Sequence, residues 1–285
     1  MFFFNEELIP QLYYKIITSA NITFVLVMGK RIPIKNERSK FFEKEKLDDG
    51  KGTRLNKFLS NAGICARRKA DDFIKAGKVT VDGKVVNEMG YRVMAKQEVK
   101  FGGKVVTAFH KKFYVLLNKP KNFITTTSDE KDRKTIMDLV KGASTERLYP
   151  VGRLDRSTTG LILLTNDGDL AQKLSHPSKE VSKLYMVKVD KLVTLAHLEQ
   201  LASGVKLDDG MANADEVAYA DDHDKSIIGI QIHSGRNRVV RRMFESLGYS
   251  VEKLDRVMFA GLTKKDLPRG KWKHLNDREI GMLMR

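Results

Sequence analysis

The sequence predicts an α+β protein: a small basic unit followed by a larger one built on a mainly antiparallel mixed sheet. Three observations predict it. From Val181 to Phe259 the elements read strand, helix, strand, strand, helix, strand, the β-α-β-β-α-β order of a ferredoxin-like split motif. Ahead of that, residues 53–112 place two short helical patterns before two glycine-turned hairpins. No heptad or short tandem repeat runs through the chain, so a solenoid or coiled coil is excluded. The 285 residues suffice for two ordinary domains.

Residues 1–52 read as a basic, poorly ordered extension. Its apolar piece, Ile22 to Met28, is too short to span a bilayer and lacks the flanks of a signal peptide. Met28 is a candidate second translation start. From Thr53, a helix capped by that threonine carries Leu55, Phe58, Leu59 and Ala62 on one face and ends at Gly63. A second helix over 66–76 turns Ala70, Phe73 and Ile74 inward and stops at Gly77. Val79–Val81 and Lys84–Val86 flank an Asp82-Gly83 turn; Val99–Val106 turns at Gly102-Gly103.

The second unit, 113–285, opens with strands near Tyr114–Leu117 and Leu161–Leu164 and helices near Thr135–Val140 and Gly168–Leu174. The split motif then assigns strands at 181–189, 214–219, 227–233 and 251–259, and helices at 195–201 and 237–247. In the first of those strands, alternation puts Tyr185 on one face with Val187 and Val189.

Charge narrows the partners. Fifty-two basic against 36 acidic residues give +16, which suits a polyanion, above all nucleic acid. One cysteine, Cys65, excludes intrachain disulfides and cysteine-cluster zinc sites and fits a reducing cytosol. The six histidines show no metal-ligand spacing, and no phosphate-binding glycine motif occurs. Asn166-Asp167-Gly168-Asp169 begins like a calcium loop but lacks a twelfth-position glutamate.

Two constellations could carry chemistry. In Tyr149–Gly168, Asp155 sits between Arg153 and Arg156, ahead of a polar turn and the apolar run Leu161–Leu164. Flanking positive charge favours an ionised carboxylate, and a loop on a rigid scaffold suits a catalytic group; a turn-forming aspartate is the plainer alternative. In the helix after Ser234, Val240, Met243, Phe244 and Leu247 form the core stripe, with Arg238, Arg241, Arg242 and Glu245 opposite. Arg236 makes four arginines in seven residues, fit for phosphate or carboxylate, or simply for a solvated face. Arg67, Arg68 and Lys69 open a helix whose dipole they oppose, so phosphate contact explains them better than stability does. Lys112, Lys119 and Lys121 read as surface charge.

These segments resemble a known family. Tyr149–Gly168, with its Gly-Arg-Leu-Asp core, is similar to the signature of the RsuA-type ribosomal pseudouridine synthases. The run from Gly235 through Val257 resembles that family's arginine motif, and Leu267–Ile280 its closing segment. Residues 53–100 resemble the S4 RNA-binding domain that the group carries at its N-terminus. The resemblance implies isomerisation of a ribosomal uridine, with the large-subunit branch (synthases B and F) the nearer. It implies Asp155 as the catalytic aspartate, Tyr185 as the tyrosine that packs against the flipped base and assists proton removal, and Arg241 as the aspartate's partner. Arg153, Leu154, Arg156, Gly235, Arg236, Asn237 and Arg238 would face the RNA. Arg54, Lys57, Arg67, Arg68 and Lys69 would bind RNA from the S4 unit. No cofactor or metal would be needed. The protein would act as a cytoplasmic monomer on ribosomal RNA, away from membranes. The rival readings are a non-catalytic S4-type RNA-binding or ribosome-assembly protein, and a nuclease, which would show clustered acidic metal ligands.

Overall fold

The structure, a computed structural model, describes residues 52–107 and 111–285. Gly52 apart, the extension expected over residues 1–52, with its apolar piece and second start, lies outside the described residues. Contacts divide the rest into two units at Lys111 and Lys112.

The first unit runs β1 (Thr53–Arg54), α1 (Leu55–Asn61), α2 (Arg67–Lys75), β2 (Val79–Val81), β3 (Lys84–Val85), β4 (Arg92–Val93), β5 (Val99–Phe101) and β6 (Lys104–Val106). Leu55 and Leu59 of α1 meet Ala70 and Ile74 of α2 over Val79, Val81 and Val99, as the periodicity requires. Phe73 is only half-buried, packed against Phe101. Gly63, at φ +70, lets the Ile64 N–H return to the Leu59 carbonyl and close α1. Asp82 and Gly83, both left-handed, make the expected two-residue hairpin between Val81 and Lys84. Thr53 does not cap α1. It lies in β1 opposite Val93, so α1 starts from Arg54 without a side-chain cap. Pairing with β4 claims the backbone that a cap would need.

The second unit runs β7 (Tyr114–Lys119), α3 (Ile136–Leu139), β8 (Tyr149–Pro150), β9 (Thr159–Thr165), α4 (Gly168–Ser175), β10 (Lys183–Val189), α5 (Leu195–Ser203), β11 (Val205–Leu207), β12 (Gly210–Ala212), β13 (Glu216–Tyr219), β14 (Ile227–Ile232), α6 (Val239–Ser246), β15 (Val251–Phe259), β16 (Leu262–Thr263), β17 (Trp272–His274) and α7 (Asp277–Met284). One nine-stranded sheet has the path β13-β14-β10-β15-β9-β7-β17. Its first four strands, mutually antiparallel, are the split motif read from the sequence. Tyr185, Val187 and Val189 enter one core while Leu184 and Met186 enter another, as alternation requires.

β9 joins the motif through one parallel pairing, with Gly160 beside Arg256. Gly160 has φ +109, and a Cβ there would lie 2.3 Å from the Arg256 carbonyl oxygen. Only glycine lets the two backbones approach this closely. The buried run Leu161–Leu164 thus becomes a central strand, and the loop before it is anchored at both ends. The acidic cluster near Asn166 also has a structural role. Asp167 caps α4 through the Leu170 N–H and accepts a bond from the Tyr114 hydroxyl. Among the described residues, no helix is long and apolar enough to cross a membrane.

Candidate active site

Asp155 stands in the loop between β8 and β9, half-exposed, on the wall of a cleft of about 600 Å³. Arg153 and Leu154 line the same cleft, whereas exposed Arg156 does not. Tyr185 contributes from β10, buried to 8% exposure, and Gly235, Arg236 and Arg238 contribute from the segment before α6. Strands fix the tyrosine, and a loop and a helix start bring the charged groups to it.

The loop owes its shape to Lys119, which is fully buried rather than a surface charge. Its Nζ donates to the carbonyls of Asp155 (3.1 Å), Thr158 (2.7 Å) and Pro120 (3.2 Å). Three carbonyls match the three donors of an ammonium, which explains how a lysine is tolerated there. Burial lowers its pKa to about 8, opposed by the Asp155 charge and reinforced by Arg269. The Thr158 N–H also bonds the Asp155 carbonyl, at 3.1 Å. Sequence reasoning missed Lys119, although its place at the end of an apolar strand was a signal.

A second buried network stands behind the loop. Asp255, wholly buried, accepts two bonds of 2.9 Å from Arg269, one from Lys264 and one from Thr159. Burial pushes this carboxyl up, but the Arg269 hydrogen bonds and the Lys264 charge overcome it and hold the pKa at about 2. Arg269 also reaches the Asn118 side chain, one residue before Lys119.

The arginines of the α6 region separate into distinct roles. Arg238, left-handed at φ +47, is the residue from which α6 starts; its guanidinium stands 3.9 Å from the Asp155 carboxylate. A non-glycine residue held in that region marks a position specified by its surroundings. Arg241 does not share the solvated side assigned to it. It is buried, donating to the Val251 carbonyl (2.9 Å) and to Ser157 Oγ (3.3 Å). Burial and the charge of Arg238 lower its pKa; Asp155 and Glu245 oppose the shift. So Arg241 grips the loop two residues after Asp155, and the ion pair itself falls to Arg238. Val240, Met243 and Phe244 form the core stripe as expected.

Arg236 and Arg242 point elsewhere. Both bind Asp209 in the β11–β12 turn, and Arg242 adds Asp208 and the Asn237 carbonyl. Arg236 is thereby tied to that hairpin although it borders the cleft. In the first unit, Arg54, Arg67, Arg68 and Lys69 are exposed and Lys57 is half-buried. α2 has no acidic residue in its first turn and no side-chain cap; of the positive cluster, Lys69 is met by Asp72 one turn on, at 3.9 Å.

The model of the RNA pseudouridylate synthase family matches residues 113–246, and that of the S4 domain matches residues 53–99. The "Ribosomal large subunit pseudouridine synthase B" of Bacillus subtilis is 41% identical over 233 residues, 81% of this chain and 95% of that protein. The chain belongs to the RNA pseudouridine synthase family. A "Dual-specificity RNA pseudouridine synthase RluF" of Salmonella typhi is 36% identical, covering 80% of this synthase and 77% of the relative. A crystal structure of a pseudouridylate synthase, 27% identical, superposes with a TM-score of 0.58 over 81% of this synthase and all of that chain. The fold expected from the sequence, an S4 domain followed by a pseudouridine synthase domain with a mixed sheet, is the one these matches show.

Proposed function

We propose that this synthase isomerises a uridine of ribosomal RNA, in the large subunit or its precursor, at the Asp155 cleft. The observation that carries the reading is the meeting of Asp155, Tyr185 and Arg238 around one cavity of nucleotide size. The relatives named for the large ribosomal subunit supply the substrate class.

Isomerisation breaks N1–C1′, turns the base and forms C5–C1′; the C5 proton leaves and N1 gains one. The Asp155 carboxylate either attacks C1′ or removes a sugar proton to give a glycal, and both routes need it ionised. Arg238 faces the carboxylate at 3.9 Å, and Arg241 holds the loop that presents it. The target must leave its stack, and an aromatic wall receives a flipped base. Tyr185 is that wall, and its hydroxyl assists removal of the C5 proton. Arg153 and Arg156 meet phosphates beside the flipped nucleotide. Gly235 lines the other side of the cleft, and exposed Asn237, outside that lining, meets the RNA beside it.

The S4 unit binds RNA through Arg54, Lys57, Arg67, Arg68 and Lys69, raising the effective concentration of the catalytic unit at its target. We assign the extension (1–52), the S4 unit (53–112) and the catalytic domain (113–285) as the chain's three parts, and action as a cytoplasmic monomer without a cofactor. The deciding experiment maps pseudouridine in ribosomal RNA from a strain lacking the gene and after adding purified protein back in EDTA. One large-subunit position should disappear and return. A complete set of modified positions in the deletion strain contradicts the reading.

A further inference from the structure

Among the described residues, a handful of buried polar side-chain atoms have no hydrogen-bond partner; two of them, Thr158 Oγ1 and Arg256 Nη2, belong to residues that line the cleft. Both residues are almost wholly buried, at 2% and 3% exposure. A buried polar atom left unpaired is costly and calls for an explanation.

Arg256 is not loosely placed. Its Nε donates to the Leu161 carbonyl at 2.8 Å, and its guanidinium lies 4.6 Å over the Phe259 ring. The fork is therefore fixed, with one arm unused. Thr158 is fixed as well: its backbone N–H is held by Asp155 and its carbonyl by Lys119. The two residues are neighbours, because Arg256 pairs with Gly160, two residues beyond Thr158.

Their position identifies what they would meet. Arg256 stands directly opposite Tyr185 in the β10–β15 register, so the two side chains share a face of the sheet. A base resting on Tyr185 brings its edge to Arg256. Arg153 and Arg238, both exposed, are the guanidiniums placed to meet phosphates. Lys183, a half-buried cation of the cleft wall, is already engaged by the carbonyls of Val181 and His233. Uracil offers two carbonyl acceptors, and an arginine arm and a hydroxyl are two donors.

We propose that Arg256 and Thr158 read the flipped uracil, the Arg256 Nη2 donating to one base carbonyl and the Thr158 hydroxyl to the other. The proposal rests on the cleft being a uridine site. It makes the residue at the C4 carbonyl the specificity determinant, since cytosine presents an amino donor there and keeps the same acceptor at C2; the other residue orients the base.

Single-turnover rates of the full chain on RNA carrying uridine, 2-thiouridine or 4-thiouridine at the mapped target test it. Sulfur accepts hydrogen bonds poorly. Wild type should lose about tenfold on each thio-RNA, the scale of one hydrogen bond from a well-placed donor. Arg256→Gln should be slowed at least as much on ordinary RNA and show no further loss on one of the thio-RNAs. Thr158→Val, which keeps the volume and removes the hydroxyl, should behave likewise toward the other. Equal thio losses in wild type and variants overturn the proposal, including the case in which Arg256 serves a phosphate instead. If Arg256→Gln fails to fold, the Thr158→Val pair decides alone: an additive loss there overturns it, a non-additive one sustains it. A wild-type chain that forms no pseudouridine in any RNA refutes the uridine site itself, an outcome distinct from additivity.

Discussion

Lys119 Nζ donates a 3.1 Å hydrogen bond to the backbone carbonyl of Asp155, from a side chain with no solvent exposure. The same ammonium holds Thr158, so a single charge sets both ends of the turn that presents the carboxylate. Lys119→Met keeps the apolar stem and removes the clamp. The expected outcome is a loss of about a hundredfold in single-turnover rate, the cost of a small misplacement of a reacting group, with RNA affinity nearly unchanged. A variant with the wild-type rate shows that the loop needs no clamp.

The pKa of Lys119, about 8, gives two pH dependences of opposite sign. Above pH 8 the folded protein holds a neutral amine with two donors for three carbonyls, so the rate should fall. Between pH 8 and the ordinary lysine value of 10.5 the unfolded chain binds a proton that the folded chain does not. This lysine's contribution to stability should therefore rise with pH across that window. Lys183 is also lowered by burial to about 8, so the alkaline limb must be compared with that of Lys183→Gln. Rate and melting temperature measured on one buffer series check both signs. An alkaline limb unchanged in Lys119→Met assigns it elsewhere.

Asp255 predicts an acid-side effect. Its carboxyl is held at about 2 against an ordinary 3.8, so its stabilisation is full above the ordinary value and disappears as pH falls from there through 2. Asp255→Asn strands Lys264 and Arg269 without their counter-charge and should cost roughly 3–5 kcal/mol of unfolding free energy at neutral pH. Chemical denaturation of the two proteins measures it. A variant within experimental error of wild type means that the cluster contributes no net stability.

The two guanidiniums around Asp155 should separate by function. Arg238→Gln removes the ion pair and leaves α6 folded; we expect about a tenfold loss of rate with little change in melting temperature. Arg241→Gln releases Ser157 and leaves the Val251 carbonyl short of a donor, so both rate and melting temperature should fall. If Arg241→Gln melts like wild type and Arg238→Gln does not, the assignment of roles is reversed.

What could be read in the sequence follows from how each signal arises. Long buried strands and amphipathic helices carry a period, so β10, β14, β15, α5 and α6 were legible, and with them the placement of Tyr185 beside Val187. The two- and three-residue strands β1, β4, β8 and β11–β12 are too short to show one and are set by distant partners. The same limit produced the errors at Thr53, Lys119 and Arg241. A threonine claimed by a strand looks like a cap, and a lysine or arginine buried among carbonyls looks like a solvated one. Periodicity reports which face a residue occupies, whereas burial of a charge depends on acceptors that folding brings together from other strands. The Asp155 loop was legible because its residues are contiguous; the network of Asp255, Arg269 and Lys264 was not.

The most direct measurement is tritium release from RNA labelled at uridine C5, by Asp155→Asn beside wild type. The account predicts release by wild type, none above background by the variant, and RNA affinity within about twofold of wild type, because phosphate contacts supply most of the binding. Release by the variant at the wild-type rate contradicts it.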